Sequence, residues 1–203
     1  MDFHYPNGKP FHAEKKSKNI QPSVLNYANR GMTLEEDLNA TDLYYRENHI
    51  AVIHKKPTPV QIVHVDYPKR SAAKITEAYF QKPSTTDYNG VYKGKYIDFE
   101  AKETRNRSAL PLQNFHPHQI DHMAEVKKQG GIAFIIVKFT ADNEIYLLDA
   151  DVLFRYWRDS LTGGRKSLPK QTFVEHGTSI KIGYAPRIPY LDIVDLKYLQ
   201  SES

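Results

Sequence analysis

With 203 residues, 40% of them hydrophobic, the chain can bury the core of one domain and still carry an insertion or a tail. It has no cysteine, which excludes disulfides, zinc–thiolate sites and thiol catalysis. No stretch nears the ~20 apolar residues of a membrane span, and Asp2, His4 and Pro6 interrupt any signal-like start, so a cytoplasmic protein without a membrane partner is expected.

The net charge of +4 and pI near 9.0 keep nucleic acid among the partner classes. Residues 1–29 combine prolines, polar residues and Lys9, Lys15, Lys16 and Lys18 without apolar periodicity, and read as a flexible basic arm. A single domain is expected over residues 30–200. Thr33 with Glu36 predicts a capping box, and Leu34, Leu38 and Tyr45 form the apolar stripe of the helix it opens. Residues 50–53 read as a short buried strand.

Pro57 and Pro59 break regular structure after Lys55 and Lys56. Strands are then predicted over 60–67 and 75–80, joined by the basic turn around Lys69 and Arg70 and followed by Pro83. Residues 57–84 are therefore read as a protrusion inserted into the core. Beyond it come a hairpin over 85–102, a helix over 117–129 closed by Gly130-Gly131, and an apolar central strand over 132–139. A strand over 144–148, a helix over 151–158, a basic loop holding Arg165, Lys166 and Lys170, and a last helix over 191–199 complete the order. It predicts an α/β (α+β) core with a central mixed sheet.

The chemistry concentrates on residues 96–102. Alternation puts Ile97, Phe99 and Ala101 on one strand face and Asp98, Glu100 and Lys102 on the other. A two-residue turn at Lys93-Gly94 pairs Tyr92 with Lys95, and counting back sets Asp87 opposite Glu100. Directly opposed carboxylates repel unless a cation lies between them. A divalent ion with hard oxygen ligands meets that need, and Thr85 adds an oxygen on the same face. Asp87 and Glu100 would hold Mg²⁺, Lys102 would face the charged phosphate, and water would be the nucleophile. A solvent-facing strand of mixed charge is the plainer alternative.

The pattern Asp87, turn, Glu100-Ala101-Lys102 resembles the D-x(n)-E-x-K signature of the PD-(D/E)XK nucleases. The neighbouring words are more specific: Asn29-Arg30-Gly31-Met32, the run from Ala51 to Pro59, Tyr67-Pro68-Lys69-Arg70-Ser71, Thr85-Thr86-Asp87-Tyr88-Asn89-Gly90 and Asp98-Phe99-Glu100-Ala101-Lys102-Glu103-Thr104. Together they resemble the RecU Holliday junction resolvases of Gram-positive bacteria. That resemblance implies a PD-(D/E)XK core whose protrusion is a stalk, and a homodimer nicking four-way junctions in pairs with Mg²⁺, or Mn²⁺ as a substitute. It also implies Thr85, Asp87, Glu100 and Gln119 as metal residues, Lys102 as transition-state stabiliser, and Arg70 in DNA handling and modulation of the RecA recombinase.

Other residues are weaker candidates. Glu35 is an accessory carboxylate of the first helix, since Glu36 is explained by capping, and Asp98 shares the active face without an assigned role. Arg30, Lys55, Lys56, Lys69, Arg70 and Lys74 are candidates to track phosphates, and Tyr79 and Phe80 to stack on bases. His118 and His122 are spaced i, i+4 beside His116 but lack the glutamate of an H-E-x-x-H site. Two other readings stay open: a non-catalytic binder of branched DNA that regulates recombination, and a restriction-type nuclease of the same superfamily.

Overall fold

The computed structural model describes residues 32–69, 72–81 and 84–199. The predicted basic arm, Arg30 and Arg70 lie outside them.

Helix α1 (Leu34–Glu47) starts on the expected capping box: Thr33 Oγ1 accepts the Glu36 N–H at 3.2 Å, and Glu36 Oε2 accepts the Thr33 N–H at 2.8 Å. Leu34, Leu38 and Tyr45 are buried, as their spacing predicts. His49, at φ 57°, then turns the chain. The following strand β1 (Val52–Lys55) begins two residues later than predicted, and Ile53 is its only buried residue. The displacement follows from the helix end, where the Ile50 N–H still bonds to Tyr45 O at 2.8 Å.

Among the described residues, strands β2 (Val60–Asp66) and β3 (Lys74–Phe80) pair only with each other, antiparallel from Val60↔Phe80 to Asp66↔Lys74. All their residues are exposed. Strands β4 (Tyr88–Tyr92) and β5 (Lys95–Thr104) form the expected hairpin, with Tyr92 opposite Lys95 and Tyr88 opposite Phe99. Its two turn residues, Lys93 (φ 47°) and Gly94 (φ 76°), both take left-handed conformations, and the glycine does so without the strain of a Cβ. Gly90 serves differently: a Cβ there would lie 2.0 Å from Val52 O, so the close approach of β1 to β4 requires its absence.

The remaining elements are β6 (Ala109–Pro111), a 3₁₀ turn, α2 (Pro117–Lys128), β7 (Ile132–Phe139), β8 (Glu144–Asp149) and α3 (Ala150–Leu161). They continue with β9 (Ser167–Pro169), α4 (Lys170–His176), β10 (Thr178–Ile180) and α5 (Tyr190–Val194), which runs into a π-helical turn at Asp195–Leu199. The six-stranded sheet has the order β1-β4-β5-β7-β8-β10. Its β5–β7 pair is parallel and its other pairs are antiparallel, so the sheet is mixed. One apolar layer gathers Ile97, Phe99, Phe134 and Ile136 with α1 and α5. The other gathers Ile135 and Val137 with Ile120 and Met123 of α2 and Leu153 of α3. Stacked rings tie β4, β5 and β7 together: Tyr88 to Phe99 at 4.7 Å and Phe99 to Phe134 at 5.0 Å. The expected α/β class, a central mixed sheet flanked by helices, is what forms.

The expected basic loop forms at Arg165 and Lys166 but is shorter than expected, ending where β9 begins at Ser167. Lys166 precedes β9, which pairs with β6, and Lys170 opens α4. The Lys170 ammonium is held by Asp142 at 2.7 Å and Glu144 at 3.0 Å. The last helix is also interrupted, its second half being the π turn. Among the described residues, no helix is long and apolar enough to cross a membrane.

Candidate active site

Asp98 and Glu100 project from β5 toward α2, and neither is exposed to solvent (0% each). A buried carboxylate is costly unless paired and hydrogen-bonded. Each has one lysine. Lys102 Nζ lies 2.6 Å from Glu100 Oε1, and Lys56 Nζ lies 2.9 Å from Asp98 Oδ2.

Glu100 is surrounded by donors. The same Oε1 accepts Gln119 Nε2 at 2.6 Å, and Oε2 accepts the backbone N–H of Asp87 at 3.1 Å. One step beyond the last paired residues of the hairpin, Asp87 therefore sits opposite Glu100, as the two-residue turn requires. Burial pushes the Glu100 carboxyl up to about 7; the Lys102 ammonium pulls it down, and the Asp87 carboxylate beside it pushes it up. The pair is a negative site that favours a cation.

Gln119 reaches this position because Pro117 sets the first turn of α2. Its Oε1 accepts the His116 N–H at 2.9 Å, which leaves the amide nitrogen to face Glu100. Direct ligation through that oxygen would use its second lone pair and would need the amide to turn, since its nitrogen is the atom facing Glu100. Thr85 is half-buried, and its hydroxyl donates to Thr86 O at 3.3 Å. A cleft of about 270 Å³ beside the site is lined by Asp87, Lys102, Glu35 and Glu103, among others. The accessory carboxylate Glu35 thus borders the cleft, where it pairs with Lys55 at 2.6 Å. Glu103 carried no signal in the sequence. Its Oε1 accepts the Leu34 N–H at 2.5 Å and fastens β5 to the start of α1, a contact between residues 69 positions apart.

Asp98 is the larger departure from the sequence reading. Its oxygens accept from Lys56, the Thr86 hydroxyl and the Tyr96 hydroxyl (3.1 Å), and His122 Nε2 lies 3.1 Å away. Lys56, expected among the phosphate-tracking lysines, points inward to this carboxylate. Lys69 and Lys74 remain exposed. His116 and His118 stack ring on ring at 5.4 Å, apart from His122 in its role at Asp98. Among the described residues, no group of three or more histidines, aspartates and glutamates is spaced to hold a metal. An ion at Asp87 and Glu100 would therefore draw on neutral oxygens and water as well.

Known proteins resemble this chain in sequence over most of its length. The profile of the family described as Recombination protein U matches residues 29–196. A protein named Holliday junction resolvase RecU from Geobacillus kaustophilus is 62% identical, over 98% of each chain. Proteins of the same name from Geobacillus sp. (strain WCH70) and Bacillus cytotoxicus are 61% and 58% identical, over 98% of this chain and 98% and 99% of theirs. Matched by the profile over residues 29–196 and by close relatives over 98% of its length, the chain belongs to the Recombination protein U (RecU) family.

Proposed function

We propose that this chain is a structure-selective endonuclease that resolves four-way DNA junctions by paired nicks, using Mg²⁺ at Asp87 and Glu100. The observation that carries the chemistry is the fully buried Glu100 placed opposite Asp87, with Lys102 on the same face. The substrate is supported by family membership and by the names of its close relatives.

The residues suit a hard divalent cation. Asp87 and Glu100 offer carboxylate oxygens, Thr85 offers a hydroxyl, and the raised Glu100 carboxyl is the group a positive charge would relieve. When bound, such an ion polarises the phosphodiester and lowers the pKa of a water. The chain's own residues do the rest. Asp87 and Glu100 would hold the ion, and their fixed placement opposite each other would set where the reacting phosphate docks. Gln119 Nε2 holds the Glu100 carboxylate in place. Lys102, on the same face as both carboxylates, would present its ammonium to the phosphate as negative charge develops. Water is the nucleophile, the species that a hard divalent ion between two carboxylates would activate.

Paired nicks require two sites, so the acting form is a homodimer with one site per subunit. Lys69, in the turn after β2, and Lys74, at the start of β3, meet phosphates of the junction. The same proposal has the protein act in the cytoplasm, with Mn²⁺ able to substitute for Mg²⁺. Modulation of the RecA recombinase belongs to the same proposal and rests on the family resemblance.

Asp87→Asn tests the site. It keeps the shape of the side chain and removes its charge, so junction cleavage in Mg²⁺ should vanish while junction binding in a gel-shift assay persists. Wild-type rates of magnesium-dependent cutting by this variant would sink the assignment.

A further inference from the structure

Lys56 stands at the root of the β2–β3 pair, one residue before Pro57, yet it bonds to the catalytic side of the sheet in three ways. Its backbone N–H donates to Asp87 O at 2.7 Å. Its ammonium donates to the Thr86 hydroxyl at 3.1 Å and to Asp98 Oδ2 at 2.9 Å. The Thr86 hydroxyl donates in turn to Asp98 Oδ1, which closes a triangle of lysine, threonine and carboxylate around the residue next to Asp87. Asp98 is fully buried and the Lys56 side chain is only 18% exposed. On the far side, His122 Nε2 and the Tyr96 hydroxyl complete the shell of Asp98.

The β1–β4 pairing ends at Lys55↔Tyr88, and the Lys56 N–H carries it one bond further onto Asp87 O; any residue but proline would make that bond, so what the lysine adds is its ammonium on Thr86 and Asp98. Asp87 is fixed from one side by its N–H on Glu100 and from the other by its carbonyl on Lys56. We infer that Lys56 is a positioning residue for Asp87, acting with Thr86 and Asp98 to set the metal-binding geometry and joining the base of the β2–β3 pair to the active site. This inference rests on the function proposed above. It gives Asp98 the role the sequence left blank, and it takes Lys56 out of the phosphate-tracking set.

Two roles for Lys56 predict opposite measurements. A lysine that grips DNA phosphates affects junction affinity and its salt dependence. A lysine that positions Asp87 affects metal affinity, because residues that orient ligands typically set it by ~10–100-fold. The test is Mn²⁺ binding, read by electron paramagnetic resonance on DNA-free protein, beside junction affinity at several salt concentrations. Lys56→Met should weaken Mn²⁺ binding about tenfold and leave junction affinity and its salt slope as in the wild type. Because this variant strands the Asp98 charge, the neutralised pair Lys56→Met/Asp98→Asn and the isosteric Thr86→Val are measured with it, and both should weaken Mn²⁺ binding likewise. Unchanged Mn²⁺ affinity in the folded variants overturns the inference, with or without a loss of junction affinity. The wild type separates this from the parent proposal: should it bind Mn²⁺ but never nick a junction, the proposed function fails while the Mn²⁺ comparison still judges Lys56.

Discussion

Strands β5 and β7 lie side by side, parallel and in register from Ile97↔Ile132 to Thr104↔Phe139, and they use the same buried position in opposite ways. On the face toward α2, β7 carries Ala133, Ile135 and Val137, all fully buried. Their partners on β5 are Asp98, Glu100 and Lys102. The apolar side chains need only neighbours of matching shape, which Ile120 and Met123 supply. The carboxylates need a donor for each oxygen and a cation for each charge, and the molecule assembles these from Lys56 just past β1, the β4 entry, α2, and Tyr96 and Lys102 of β5 itself. Burial at β7 holds the fold; burial at β5 is maintained against a desolvation cost, which is the usual mark of a site kept for chemistry.

That contrast can be broken from either strand. Glu100→Gln retains shape and removes a buried charge. It should cut junction cleavage about a thousandfold, the scale of a lost electrostatic contributor to catalysis, without lowering the melting temperature. Ile135→Ala on β7 should do the reverse, costing about 2–5 kcal/mol by chemical denaturation with the cleavage rate per folded molecule unchanged. A Glu100→Gln protein that melts earlier yet still cuts would erase the distinction between the strands.

Gln119→Leu sharpens the comparison at the helix that serves both strands. It removes the Nε2 bond to Glu100 and should raise the Mg²⁺ needed for half-maximal cleavage by about 10–100-fold. A Mg²⁺ titration matching the wild type would reduce Gln119 to a cap of α2.

The smallest effect concerns a buried acid on the other side of the sheet. Burial raises Asp42 from 3.8 to about 7, with the Tyr190 hydroxyl (2.6 Å) and Arg46 pulling the other way. The native state therefore keeps a proton that the unfolded chain has released. Its contribution to stability is present at low pH, declines as pH rises through the window from 3.8 to about 7, and is level above it. Asp42→Asn should flatten that part of the slope and be the more stable protein above neutrality, as urea unfolding across this range will read. A steeper slope in the variant would contradict the linkage.

The sequence was legible where a short-range rule decides the outcome. The capping box at Thr33, the hairpin turn at Lys93-Gly94 and the apolar run of β7 each depend on neighbours within a few positions, and the turn alone was enough to set Asp87 against Glu100. Contacts that depend on distant elements were not legible. The bonds from Glu103 to Leu34, from Lys56 to Asp98 and from His122 to Asp98 join segments that only the folded sheet brings together. Short elements also escaped: β6 and β9 are three residues each, contain proline and have no room for a period. Lys56 shows the cost of reading charge by composition, since a lysine in a basic run turned out to be half of a buried ion pair.

The central claim is that the opposed Asp87 and Glu100 hold the cation with which the protein cuts branched DNA. Its most direct measurement is cleavage of a mobile four-way junction and of a linear duplex of the same sequence by purified wild-type protein and Glu100→Gln, with and without Mg²⁺. The account predicts paired nicks in the junction alone, only with Mg²⁺ and only from the wild type. Binding of the junction without nicks in Mg²⁺ or Mn²⁺, or equal cutting by Glu100→Gln, would contradict it.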